Sequence, residues 1–302
     1  MKTLCLAVIL FLSAVSTAEG AEMTVAVIKG HSALPHEEVL AGFAEEAQSR
    51  NANVRFVSLE DEKVRRALDA GSGPGLPDII LCLGAHALEK GARFRNIPKI
   101  FSLVTTASLE PWAERSDIYG VSLDVAPATQ FRILRQALPG VKRIGVLYDP
   151  SHNQAVIEEA KKAAAASGFN LLALPVSSLK DLPSALGQLE RSGDLLWSLY
   201  DPTVYSPESA KYLLMQSLQR EIPVVGFSPH FAKAGALLAL YGDYRDMGRQ
   251  AAIQALAAQS RGEGVIRWVN PRVVKIAVNE KVRRFLGVTF PAVFRKMVNQ
   301  SF

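Results

Sequence analysis

Cysteine is almost absent from this chain: two occur in 302 residues, Cys5 and Cys82. Cys5 lies in an N-terminal apolar stretch, which leaves Cys82 alone in the body. A lone cysteine closes no internal disulfide. It sits in the run Ile79-Ile80-Leu81-Cys82-Leu83, where a buried core thiol is the ordinary reading and a reactive nucleophile the remote one. A chain without an internal disulfide must hold itself together by core packing.

Catalytic signatures are missing as well. The chain has no Gly-x-Gly-x-x-Gly fingerprint, no phosphate loop ending in Gly-Lys-Ser/Thr and no Gly-x-Ser-x-Gly elbow. The five histidines, His31, His36, His86, His152 and His230, are scattered. His31, His36 and His86 could face a metal together, but loop histidines are ordinarily surface residues, so neither a metal nor a cofactor is expected. Cys82 with His86 is the nearest approach to a nucleophile-base pair. The cysteine belongs to a strand interior and the histidine to a helix start, which disfavours a hydrolase or isomerase. Long hydrophobic runs are also lacking. Beyond the N-terminus nothing approaches about 18 uncharged apolar residues, so a soluble mature chain is expected.

The formal charge of +5 is spread along the sequence. Its densest runs, Lys63–Arg66, Lys161-Lys162 and Arg283-Arg284, fall in helical patterns and read as solvated faces, so no nucleic-acid partner is expected. A DNA-binding regulator would need a helix-turn-helix before the first strand. The residues there look instead like a secretory signal. Met1-Lys2 is a short positive region, Leu4 to Val15 an apolar stretch, and Ser16, Ala18 and Gly20 are small residues suited to cleavage after Ala18 or Gly20. A periplasmic or otherwise exported location follows as an expectation.

What is present is a globular chain, 49% hydrophobic and 21% charged, long enough for two domains. Short apolar strands alternate with amphipathic helices. Strands are expected at Thr24–Ile28, Val54–Leu59, Asp78–Leu83 and Pro98–Val104, with helices at Glu37–Arg50, Glu62–Ala70 and Ala87–Phe94. The rhythm then restarts. Strands fall at Arg143–Tyr148, Asn170–Val176, Asp194–Leu199, Pro223–Phe227, Ala236–Tyr241 and Val273–Val278. Helices fall at Pro127–Leu138, Gln154–Ser167, Leu182–Ser192, Pro207–Glu221 and Arg245–Ser260. This alternation predicts an α/β protein with two doubly wound, Rossmann-like parallel-sheet lobes, changing over near Gly120–Ala126.

Ligands of open parallel sheets sit beyond the C-terminal strand ends. The loops so selected carry Gly30, His31 and Ser32; Gly84 and Ala85; Thr105 and Thr106; Tyr148, Ser151 and Asn153; Tyr200 and Asp201; Phe227 and Ser228. Such a lining suits a small zwitterion or polar metabolite. Hydroxyls and backbone N–H groups would take a carboxylate, Asp201 an amine, and the tyrosines the apolar parts. Each Ser, Thr or Asp is individually best read as a helix N-cap. Their convergence on one face makes them candidates.

The chain also resembles a known family. The carriers are Pro77-Asp78-Ile79-Ile80 leading to Gly84, Pro98-Lys99-Ile100-Phe101 leading to Thr105, Tyr119–Ser122, the run from Leu138-Pro139-Gly140 to Tyr148-Asp149-Pro150, Asp194 followed by Asp201, Ile222-Pro223-Val224, Ala234–Leu237, Asp243-Tyr244 with Gly248, and Val278-Asn279 with Leu286-Gly287-Val288. They resemble the ABC-transporter substrate-binding proteins of the type I periplasmic fold, in the branch whose members bind amino acids such as tryptophan and phenylalanine. The resemblance implies that residues 21–123 and about 244–264 form the N-terminal lobe and 124–243 and about 265–302 the C-terminal lobe, joined by crossings that act as a hinge. It implies a monomer that is not an enzyme. Such a protein captures an amino-acid-like metabolite for an ABC permease, or alternatively senses it for a membrane signalling protein. It also places Asp201 at the ligand amine, with Thr105, Ser151 and Asn153 nearby. Thr106-Ala107 and Pro202 depart from the family's usual Asp-Pro and Asn at those positions.

Overall fold

The computed structural model describes residues 22–29, 34–259 and 266–302. The first sheet contains β1 (Glu22–Lys29), β2 (Asn53–Ser58), β3 (Ile79–Leu83), β4 (Lys99–Val104) and β5 (Ile118–Ser122). The second contains β6 (Arg143–Tyr148), β7 (Asn170–Pro175), β8 (Leu195–Trp197), β9 (Val224–Gly226) and β10 (Leu238–Gly242). Three late strands complete them: β11 (Trp268–Val269), β12 (Val274–Val278) and β13 (Gln300–Ser301). The order is β11-β5-β4-β3-β1-β2 in one sheet and β13-β12-β10-β9-β8-β6-β7 in the other. Every pairing in the first sheet is parallel; in the second, β12 runs antiparallel to β10. This is the doubly wound two-lobed α/β architecture.

Helices cover both faces of each sheet, as continuous apolar strands such as the wholly buried β3 require. On the first sheet, α1 (Leu34–Ser49) lies on one face and α2 (Glu62–Ala70) and α3 (Ala85–Gly91) on the other. On the second, α4 (Pro127–Ala137) and α5 (Pro150–Ala166) oppose α6 (Leu182–Ser192) and α7 (Pro207–Gln219). The short α8 (Pro229–Ala234) follows β9 at the edge of the gap, and α10 (Glu280–Phe285) and α11 (Ala292–Arg295) pack beside α4 and α5. The long α9 (Tyr244–Gln259) leaves the second sheet and docks on α1, burying Met247 and Ala251 against Val39 and Phe43. The two helices approach so closely that a methyl on Gly248 would lie 2.0 Å from the Val39 carbonyl oxygen, and one on Gly42 1.8 Å from that of Arg245. Glycine is required at this crossing.

One boundary differs from the sequence expectation. The segment after residue 265 does not pass directly to the second lobe, because β11 first adds to the edge of the first sheet, pairing Trp268 with Gly120. Trp268 packs edge-on to Phe101, and its indole N–H donates to the Ile118 carbonyl at 3.1 Å. A two-residue strand in a run without alternation carries no period to detect.

Among the described residues the chain therefore passes between lobes three times, at Leu123–Val125, at Gly242–Tyr244 and at Asn270–Arg272. These crossings are tied laterally. The Asn270 amide donates to the Ser122 hydroxyl and the Asp124 carbonyl, both at 3.0 Å, while Gln250 bonds Asn270 on one side and Arg272 on the other. Arg272 forks onto the Asp246 carboxylate at 2.8 and 2.9 Å.

At the opposite end of the first sheet, the fully buried Lys99 donates to the carbonyls of Phe94 (2.6 Å) and Ile97 (2.7 Å) and to Asp117. Burial by itself would raise the Asp117 carboxyl. Hydrogen bonds from Arg115 and Lys99 overcome that and hold it at about 2. Because this folded value lies below the unfolded one of about 3.9, the stabilisation is present above about pH 4 and is lost as pH falls towards 2. Asp117→Ala is expected to cost about 3–5 kcal/mol in urea unfolding at pH 7, since it strands a buried ammonium. Asp117→Asn should flatten the dependence of stability on pH between about 4 and 2.

Candidate interlobe binding site

The C-terminal strand edges of both sheets open onto the same gap. From the first lobe, β4 delivers Thr105 and Thr106 at the start of a 3-10 turn, Thr106–Trp112. A register shift between Ser102 and Val104, with Leu103 at φ 61°, redirects the chain just before them. Bulges commonly re-aim side chains beside functional sites. The Thr105 hydroxyl lies 2.8 Å from that of Ser108. From the second lobe come α5, capped by Asp149, and the loops after β8 and β9.

Two adjoining cavities occupy the gap. An inner one of about 80 Å³ is lined by Thr106, Asp124, Gln130, Asn153, Glu159, Trp197, Ser198, Tyr200, Phe227 and Asn270, with aliphatic neighbours. An outer one of about 530 Å³ is lined by Thr105, Ala107, Ser108, His152, Tyr200, Asp201, Pro202, Tyr205 and Phe227. Tyr200 and Phe227 border both. Their rings are 4.1 Å apart between centroids, and Phe231 continues the stack at 4.7 Å. Burial pushes the Tyr200 phenol upward, so it stays neutral at physiological pH.

The candidate residues divide sharply. Thr105, Thr106, Asn153, Tyr200, Asp201 and Phe227 line the two cavities. Gly84 and Ala85 stand on the same edge of the first sheet but border neither cavity. Tyr148 is buried under α5 with its hydroxyl on Gln154 at 3.3 Å, and Ser151 and Ser228 are spent on helix caps. Gly30, His31 and Ser32 lie outside the described residues. His86 is exposed beside Glu89, and among the described residues no three His, Cys, Asp or Glu side chains are gathered as a metal site.

Asp201 requires a correction. Its carboxylate was expected to meet a ligand amine, yet it already accepts four internal hydrogen bonds. Oδ2 takes the Asp149 N–H at 2.7 Å and the Asn153 amide at 2.9 Å; Oδ1 takes the N–H groups of Thr203 and Val204, both at 3.0 Å. A carboxylate has about four lone-pair directions, and here each is occupied. Asp201 is the brace that fixes the loops after β6 and β8 to each other. Asp149 completes the brace, with the hydroxyls of Thr203 and Ser151 holding its carboxyl below the usual range.

Asp124 is the carboxylate the sequence reading missed. It follows β5 at the first interlobe crossing, a stretch treated as a changeover because β5 was not recognised as a strand. Burial raises its carboxyl above the ordinary range, and Thr106, at the neighbouring strand end of the same sheet, donates to it. Gln130, Trp197, Ser198 and Asn270 were missed too. Gln130 accepts from the Trp197 indole and donates to Val125, both at 2.8 Å, which locks the cavity floor to the hinge.

Two parallel-sheet lobes around an enclosed polar and aromatic gap define a cleft-binding protein of the type I periplasmic-binding class. Over residues 77–299 the chain matches the ABC transporter substrate binding protein family, and it belongs to that family of exported, non-enzymatic solute-binding proteins. No curated protein matches it in sequence. Similar solved structures share its fold. A conserved domain protein from Vibrio cholerae is 21% identical over 94% of this chain and 100% of its own, with TM-score 0.60. A Streptococcus pneumonia domain in complex with L-Trp is 17% identical over 94% and 100%, TM-score 0.60. A ligand-free, open substrate binding protein with adhesive properties from Clostridium difficile is 17% identical over 93% and 98%, TM-score 0.68.

Asp201→Ala should destabilise the second lobe by about 3 kcal/mol in chemical denaturation, since it strips partners from buried donors. A substitution that abolished ligand binding with no loss of stability would contradict the bracing role.

Proposed function

We propose that the protein captures a small polar, amino-acid-like metabolite between its lobes and presents it to an ABC permease. The observation that carries this reading is the inner cavity, which takes side chains from both lobes: Thr106 from the first, Asn153, Ser198 and Tyr200 from the second, and Asp124 and Asn270 from the crossings. A ligand there would touch both halves at once, so binding favours the closed arrangement by whatever contacts the second lobe adds. The aromatic pair Tyr200 and Phe227 suits an apolar body, in keeping with the L-Trp complex of the Streptococcus relative. Residues 1–20, outside the described residues, act in this reading as a leader removed after Ala18 or Gly20, and the mature protein works as a monomer.

The test is a thermal-shift panel of amino acids, amines, sugars and carboxylic acids on ligand-stripped protein. A ligand at one hundred times its Kd adds about 2.7 kcal/mol to the folded state, which should raise Tm by several degrees. A flat response across the panel contradicts the reading.

A further inference from the structure

We propose that the outer side of the segment from α10 to β13 is a peripheral membrane contact that holds the protein against an anionic lipid surface. This surface is separate from the interlobe gap and does not depend on which solute the gap takes.

The first observation is charge. Residues 281–302 contain Lys281, Arg283, Arg284, Arg295 and Lys296 and no aspartate or glutamate, a local surplus as large as the formal excess of +5 for the whole chain. Arg283 is taken up by Glu280 at 2.8 Å. Arg284 donates to a backbone carbonyl, that of Glu280, at 3.2 Å. The exposed side chains of Lys281, Arg295 and Lys296 make no hydrogen bond or ion pair among the described residues. The neighbouring α4 adds an exposed Arg132 and no acidic residue. Four cations on this segment therefore face water without a carboxylate.

The second observation is apolar. Phe285 is 63% exposed and Val293 69%, two of the three most exposed large hydrophobic residues among those described. A solvated face accounts for the cations and leaves these two side chains without a role. A lipid boundary accounts for both: apolar side chains enter the zone between headgroups and acyl chains, and cations meet the lipid phosphates.

The fold gathers these residues on one surface. The segment is a closed excursion that leaves β12, forms α10 and α11, and returns as β13 beside β12. At its neck the Glu280 N–H donates to the Phe302 carbonyl at 2.9 Å. Its inner side is committed to the core, where Val282, Phe290 and Phe294 are buried in the second lobe. Arg283 ties α10 to the turn that follows, donating to the Val288 carbonyl at 2.9 Å. The charged and large apolar residues left outward are Lys281, Arg284, Phe285, Val293, Arg295 and Lys296. Because the inner side anchors both short helices, the outer side is formed before any contact, which lowers the ordering cost of binding.

Co-sedimentation with vesicles tests this on the mature protein without residues 1–20. Vesicles of phosphatidylglycerol mixed with phosphatidylcholine should bind it, less tightly as salt is raised, and vesicles of phosphatidylcholine alone should leave it in solution. Each Lys or Arg at such a surface contributes about fivefold in affinity. Combining Lys281→Gln, Arg295→Gln and Lys296→Gln should therefore cost on the order of 100-fold at unchanged Tm. Combining Lys63→Gln, Lys180→Gln and Lys211→Gln, exposed positions elsewhere, makes the same change in net charge and should bind as the native protein does. Phe285→Ser with Val293→Ser should lose about tenfold or more and keep the salt dependence. The inference is overturned if the mixed vesicles do not bind, if the two triple variants lose affinity equally, or if Phe285→Ser with Val293→Ser binds as tightly as the native protein. Binding confined to native membrane vesicles, and abolished by protease treatment of those vesicles, would assign the surface to a protein partner and overturn it too. The variants should keep the thermal response of the gap to its solute, so failure here and failure of the solute-binding reading are distinguishable.

Discussion

The three passages of chain between the lobes, laced together by the Asn270 amide, are what oblige two independent sheets to share one gap. Parallel strands end at a common edge, so each lobe has a single edge rich in loops and helix starts. Nothing in either sheet alone turns those edges towards each other. The bonds from Asn270 to Ser122 and to the Asp124 carbonyl, and the Gln250 bridge to Arg272, fix the angle at which the chain leaves one sheet and enters the next. The same residues reach the binding cavity, since Asn270 and Asp124 line it. The interlobe crossings and the cavity proposed to bind the ligand are thus one piece of structure.

The carboxylates at this edge divide their labour. Asp201 and Asp149 are saturated by backbone and hydroxyl donors and act as rigid braces, so the loops that carry Tyr200 and Asn153 need no ligand to be ordered. Asp124 stands at the cavity wall, partly exposed, with Thr106 as its donor and its carboxyl raised by burial. Preorganisation by the first pair lowers the entropy cost of binding. Lys99 and Asp117 at the far end of the first sheet, and the glycine-mediated contact of α9 with α1, tie the elements of that lobe to one another.

Much of this was legible in the sequence. Long amphipathic segments and wholly apolar strands announced themselves by period, and the rule of strand ends selected the loops of Thr105, Asn153, Tyr200 and Phe227 in advance. The misses have physical causes. β5 contains Gly120, whose added methyl would lie 2.2 Å from the Phe101 carbonyl oxygen, so a tight backbone approach there wrote a glycine where a strand signal was sought. With β5 unread, its following loop and Asp124 dropped out of the candidate set. β11 is too short to carry a pattern. Asp201 was found but misassigned, because sequence marks a carboxylate without showing how many donors already surround it. Tyr148, Ser151 and Ser228 were chosen by the same rule and turned out to be core and caps, the ordinary fate of such residues at helix starts.

The two lobes, their crossings and the cavity between them require a gap that closes on its ligand. Spin labels at Ser108→Cys and Pro202→Cys, on opposite walls of the outer cavity, measure this directly. The native Cys82 is buried with its thiol pushed up to about 12 and will not compete for label. Pulsed electron resonance should give a short separation that shortens and narrows further at saturating ligand. A distribution unchanged by ligand, or one showing the two labels on distant outer surfaces, would contradict the account.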